Sequence, residues 1–288
     1  MEGPVHFVGM NRRWVAAAIA VVLAGPLAGR VLAATPGPLA PASANHGARR
    51  DVAFTPTAEC DIATAQLLAG RHPAARQFVI VGAPSWTSTM ASLQIVAKSA
   101  KGQWLCQQAP VAARVGKAGL RPLADRRSGD GTTPAGSFPL GSVRAWDGQQ
   151  FEFFGNLADP GVRGPYRDVR YEDCWGATPH TASYQALVNA PRCTSPNEWL
   201  MGVGAVYGHA AVIGANLDPI SGVDANEPAL AAAIFLHRNS YTAAGASKPT
   251  SGCVSLSEDD LEVALRLIDP ALGVQFAIGE WNWLRQSA

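Results

Sequence analysis

Five cysteines and six histidines are the residues through which this chain could do covalent chemistry. One stretch concentrates the possibilities. In "PTSGCVSLSEDDL" (Pro249–Leu261), Cys253 follows a glycine, sits on an apolar run and precedes a helix-forming segment. Three readings are open there: half of a disulfide, a buried small hydrophobe, or a nucleophile. A nucleophile needs a neighbouring base or local positive potential to shed its proton, and donors for a developing oxyanion. His237, at the end of the apolar run "AAAIFLH", could be the base, with a connecting loop long enough to bring Cys253 back beside it. Gly252 lets the chain turn sharply, so the Gly252 and Cys253 N–H groups could face a substrate. The helix expected after Ser257 would point its positive end toward the same corner.

The elements that must position these residues follow from periodicity and punctuation. "RQFVIVGAP", "ASLQIVAKSAKGQWLC", "YGHAAVIGAN", "AAAIFLH" and "VQFAIG" predict strands, and "DIATAQLLAG" a short helix. "SEDDLEVALRLIDP" predicts a helix with Ser257 as N-cap, three acids in its first turn and Pro270 as its stop. "RRSGDGTTPAGSFPLG" (126–141) reads as a compact loop leading into a strand, in which Asp130 and Gly131 shape a turn. It lacks the Gly-Lys-Ser/Thr ending of a phosphate cradle, and no Gly-x-Ser-x-Gly elbow appears anywhere. Residues 144–200 are irregular and aromatic, which suits an insertion around a site. Tyr207 and His209, just ahead of "AAVIGAN", are candidates to line a cleft, and Trp175 to cover it; packing roles are the plainer alternatives. The sum is a mainly β domain with a few short helices over residues 60–288.

The chain has 288 residues, a net charge of +1 and only 16% charged residues. Nothing in that balance argues for nucleic acid or an anionic membrane as partner. "NRRWVAAAIAVVLAGPLAGRVLAA" has the layout of a secretory signal, so residues 1–34 are expected to be removed after Ala33 or Ala34. An uncleaved anchor is the alternative, against which stand the short apolar run and Pro26. Residues 35–59, rich in Pro and Ala, predict a tether. Export changes the cysteine arithmetic, because thiols outside the cytosol tend to pair. An odd count leaves one over. Pairing neighbours gives Cys60–Cys106 and Cys174–Cys193, and Cys253 is then the odd one out.

Three blocks in the right order also carry a family resemblance. "IFLHRNSYTAAGASKPTSGCVSL" resembles the signature of the YkuD-type L,D-transpeptidases, a histidine followed by a loop and Ser/Thr-x-Gly-Cys on an apolar run. "DGTTPAGSFPLG" resembles the family's Asp-Gly-x-Thr-Pro-x-Gly-x-Phe segment, and the final helix and strand fit as well. The likeness spans roughly residues 77–279 and its style is similar to secreted members from high-GC bacteria. It implies a β-sandwich-type catalytic domain with a loop-rich insertion, acting by acyl transfer on peptidoglycan stem peptides. It implies Cys253 as nucleophile, His237 as base, and Gly252 and Cys253 as oxyanion donors. No metal or organic cofactor is implied, and acylation by carbapenems is. Thr250 takes the Ser/Thr position. Ser251 stands where many members have histidine, Ser255 where many have asparagine or arginine, and Arg238 where a small residue is common. These departures leave open how a substrate carboxylate is held, with Arg238 one candidate, and what orients His237, for which a main-chain carbonyl would serve. The protein is expected to be secreted, cell-wall associated and monomeric, with no lasting membrane contact. An L,D-carboxypeptidase, another cysteine hydrolase of the wall, and a non-catalytic wall-binding module on the same fold are the alternatives.

Overall fold

The computed structural model describes residues 59–190, 192–217 and 228–286. The expected signal (1–34) and the expected tether (35–59), but for its last residue, lie outside the described residues. In chain order the strands are β1 (Gln77–Ala83), β2 (Met90–Lys98), β3 (Trp104–Arg114), β4 (Leu120–Pro122), β5 (Thr133–Pro139), β6 (Val143–Arg144), β7 (Gln150–Phe151) and β8 (Phe153–Gly155). They continue with β9 (Tyr166–Asp168), β10 (Asp173–Trp175), β11 (Leu187–Asn189), β12 (Glu198–Trp199), β13 (Ala210–Val212), β14 (Phe235–Arg238), β15 (Val254–Leu256) and β16 (Gln275–Glu280). The helices are α1 (Ile62–Arg71), α2 (Glu258–Leu267) and α3 (Trp281–Gln286). The described chain is therefore mainly β with a few short helices, as its alternation and turn density predict.

Eleven strands form one hydrogen-bonded sheet in the order β4-β5-β16-β1-β2-β3-β15-β14-β13-β8-β9. The seam between β3 and β15 is a single bridge, Ser255 against Arg114. Side-chain alternation makes both faces of this sheet apolar. Val79, Val81, Phe276 and Ile278 from one side of the seam share a cluster with Leu236, Val254, Leu256 and Ala211 from the other, closed by Leu261, Ala264 and Leu265 of α2. The sheet thus turns back on itself around its main core. The reverse face of β1 and β16, with Phe78, Ile80 and Ala277, packs under Leu68 of α1 and Leu284 of α3. The reverse face of β13 and β14 packs against the aromatic insertion, where Phe151, Phe154, Trp175, Tyr207 and Phe235 meet. Trp175 is fully buried there, edge-on to Phe235 at 4.7 Å, so it packs rather than covers a cleft.

The insertion carries its own small sheet, β11-β10-β12, and its own disulfide, Cys174–Cys193. The second disulfide, Cys60–Cys106, ties the chain before α1 to β3. Both pairings are those the cysteine spacing predicts. Beneath the insertion, Arg167 is fully buried and grips both oxygens of the equally buried Asp173, at 3.0 and 2.7 Å, while its remaining nitrogen holds Asp147 at 2.7 Å. Replacing one member strands the other's charge. Arg167→Met is expected to cost about 3–5 kcal/mol, read by urea denaturation.

Candidate active site

The site begins with a strand register. β14 and β15 run parallel side by side, with Leu236 opposite Val254, His237 opposite Ser255 and Arg238 opposite Leu256. Cys253, one residue before β15, therefore falls beside Phe235. Alternation then puts Phe235, His237, Cys253 and Ser255 on one face, and Leu236, Val254 and Leu256 on the other, in the main core. His237 and Cys253 are diagonal neighbours across adjacent strands, and both line a cavity of about 430 Å³. Cys253 is half-buried and is the free cysteine.

Thr250 and Gly252 shape the turn that presents the sulfur. Thr250 Oγ1 donates to the Cys253 carbonyl at 2.6 Å and accepts the Gly252 N–H at 3.1 Å. Thr133 Oγ1, from the Asp-Gly-x-Thr-Pro block, donates to the same carbonyl at 3.2 Å. The Gly252 N–H, expected as an oxyanion donor, is thus engaged by the threonine. Gly252 has φ 155°, and a Cβ there would stand 3.1 Å from the Thr132 carbonyl oxygen. Gly252→Ala is expected to cost about 1–3 kcal/mol and to slow reaction at Cys253 by displacing its turn. Urea titration and thiol alkylation rates read the two effects separately.

A main-chain carbonyl does orient the histidine: His237 Nδ1 lies 2.7 Å from the Arg238 oxygen. Nδ1–H donates, which leaves Nε2 as an acceptor. Tyr207 packs edge-on against the imidazole, 5.5 Å between centroids. Burial pushes the His237 pKa down to about 4, against the pull of that carbonyl. Burial pushes the Cys253 thiol up to about 12, helped by the charge of Glu198 and opposed by the Phe235 N–H and by Arg126. The thiol meanwhile donates to the Ala233 carbonyl at 3.3 Å. At neutral pH the resting pair is therefore an uncharged thiol and an uncharged imidazole.

Two charged residues of the cavity carry no signal in the sequence. Arg126 is fully buried, donates to the Thr132 carbonyl at 3.0 Å and to the Leu230 carbonyl, and stands 3.7 Å from Asp130. Its guanidinium also lies against Gly252 and its charge reaches Cys253. Arginine holds its proton in proteins, so this is a permanent cation near the Cys253 sulfur. Asp130 shapes its loop as expected, accepting from the Arg127 and Thr132 N–H groups and the Thr132 hydroxyl. Glu198, from the insertion, lines the cavity from another side and accepts the Tyr207 hydroxyl at 2.7 Å. Burial lifts its carboxyl above the ordinary glutamate range, against the pull of that hydroxyl.

Of the remaining candidates, Thr250, Ser251, Ser255 and Tyr207 line the cavity. Ser255 is tied to Asn239 at 2.6 Å. Arg238 and His209 do not line it. Arg238 reaches instead to Glu258 at 3.2 Å. His209 sets Nε2 at 2.9 Å from the Ala158 oxygen and its ring near Tyr166. Alternation explains both, since each is one residue out of phase with the site face. The helix after Cys253 also differs from expectation. Ser257 caps α2 as predicted, accepting the Asp260 N–H at 3.2 Å. β15 intervenes, however, and the capping Ser257 comes four residues after Cys253, roughly 13 Å of extended chain at about 3.3 Å per residue. The cation whose charge reaches the sulfur is Arg126, and Glu198 outweighs it there. Among the described residues no group of three His, Cys, Asp or Glu could hold a metal, and no helix is long and apolar enough to cross a membrane.

Compared with models of known protein families, with curated proteins and with solved structures, the chain matches none.

Proposed function

We propose that this chain is a cysteine acyltransferase of the bacterial cell wall, an L,D-transpeptidase of the YkuD type. One observation carries the reading: the thiol left out of the two disulfides shares a strand face and a cavity with an oriented, neutral histidine. The disulfides are consistent with an extracytoplasmic location. Secretion and wall association are part of the proposal, as is the family's catalytic fold.

In the first half-reaction the Cys253 sulfur attacks the L,D-peptide carbonyl of a donor tetrapeptide stem while its proton passes to His237 Nε2. The oxyanion that develops lies in the field of Arg126, a fixed cation that favours the charge as it forms. The C–N bond breaks, His237 returns the proton to the departing D-alanine amine, and a thioester remains. In the second half-reaction an amine of an acceptor stem attacks the thioester, the C–S bond breaks, and sulfur recovers a proton through His237. Water in place of the amine makes the enzyme an L,D-carboxypeptidase. No step calls for a metal or organic cofactor.

Incubating the mature domain with a donor tetrapeptide, with and without an acceptor stem, separates these outcomes by product mass. Cross-linked dimer with loss of D-alanine is the expected result. Tripeptide alone would favour the carboxypeptidase, and unchanged peptide would reject acyl transfer.

A further inference from the structure

The second half-reaction poses a problem that the Cys253–His237 pair does not solve. An alkylamine near neutral pH is an ammonium ion, with an ordinary pKa near 10.4, and cannot attack until it loses a proton. In this step His237 is already committed to passing a proton to the leaving sulfur, so the ammonium's first proton needs another acceptor. The cavity holds one other proton acceptor of the right kind. Glu198 is the single acid among the described residues that line it. Its position is fixed, not incidental. β12 pairs with β10 so that Glu198 stands opposite Trp175, and Cys174 beside that tryptophan is bridged to Cys193. The Tyr207 hydroxyl holds Oε1 at 2.7 Å, which leaves Oε2 for a ligand. The same tyrosine packs on His237, so the carboxyl and the imidazole are braced by one side chain.

We propose that Glu198 docks the ammonium group of the resolving amine and takes its first proton. The inference rests on the acyl-transfer reading above. The protons balance. Glu198 carboxylate and the ammonium become carboxylic acid and free amine. The amine nitrogen bonds to the thioester carbon and the C–S bond breaks. The nitrogen's second proton passes through His237 to the leaving sulfur, and Glu198 gives its proton to solvent. Burial raises the Glu198 carboxyl above the ordinary range, which makes it a stronger base than a solvated glutamate. An ammonium drawn beside it restores its ionised form.

The test loads the full mature protein with a donor tetrapeptide. The thioester is then chased with a stem peptide bearing a free side-chain amine, and aminolysis is measured against hydrolysis across neutral and alkaline pH. Glu198→Gln keeps an acceptor for Tyr207 but removes the charge. It is expected to lower the ratio of aminolysis to hydrolysis by about a hundredfold at neutral pH. The deficit should shrink as pH rises toward the amine's own pKa, and Glu198→Asp should recover part of the loss. An unchanged ratio overturns the proposal. So does a deficit independent of pH that aspartate does not rescue, since that is the mark of a packing role. If wild-type protein forms cross-links and the ratio ignores Glu198, this inference alone falls. If wild-type protein never forms the thioester, the acyl-transfer reading falls with it.

Discussion

Cys253→Ala is expected to reduce turnover of a donor tetrapeptide on the order of 10⁵–10⁶-fold, to background, because the covalent intermediate is lost outright. Stability should move little by comparison. The sulfur is half-buried and donates to the Ala233 carbonyl. Within about 1 kcal/mol, the variant should unfold like wild type below pH 9. Above that the two should part. The folded thiol has its pKa raised to about 12 from an ordinary 9.0, so its contribution is complete below 9 and is lost as pH rises through 12. The alanine variant lacks this alkaline limb. Urea midpoints on both sides of pH 9, beside peptide turnover, check the two halves of the prediction. Turnover retained within tenfold would place the nucleophile elsewhere.

His237→Gln is the second large effect. Loss of the base should slow acylation by about 10²–10⁴-fold, without removing the sulfur. The wild-type rate should rise with pH through about 4, where the imidazole becomes neutral, and then hold level across neutral pH. Stability carries the same sign. His237 is neutral when folded, with a pKa lowered to about 4 from an ordinary 6.5, so unfolding takes up a proton between those values. Stability is full above 6.5 and is lost as pH falls through 4, by about 3 kcal/mol for this residue. The glutamine variant should lack that acid limb. An acylation rate that climbs only through the ordinary thiol range would mean attack by a preformed thiolate, and a different role for His237.

How far the sequence discloses this site depends on how local each feature is. Ser257 as helix cap and the disulfide partners are local or countable, and the structure shows both. The parity of a strand is harder to read, because one residue's shift changes the face. Arg238 and His209 were candidates by proximity in sequence, yet alternation turns both away from the cavity. The helix after Cys253 is legible as a helix, but β15 between them sets its distance. Arg126 and Glu198 come from segments far along the chain. They meet Cys253 only because the sheet folds back and the insertion is tied down across it. No spacing rule reaches that far. The carbonyl that orients His237 belongs to the very next residue, but its aim depends on backbone geometry at the end of β14.

The measurement closest to the central claim is the intact mass of the mature protein before and after a carbapenem, with Cys253→Ala alongside and peptide mapping of any adduct. The account predicts a starting mass with two disulfides and one free thiol, then a single acyl adduct on Cys253 of wild type and none on the variant. A starting mass with Cys253 already bridged would contradict it, and so would an adduct that persists when Cys253 is gone.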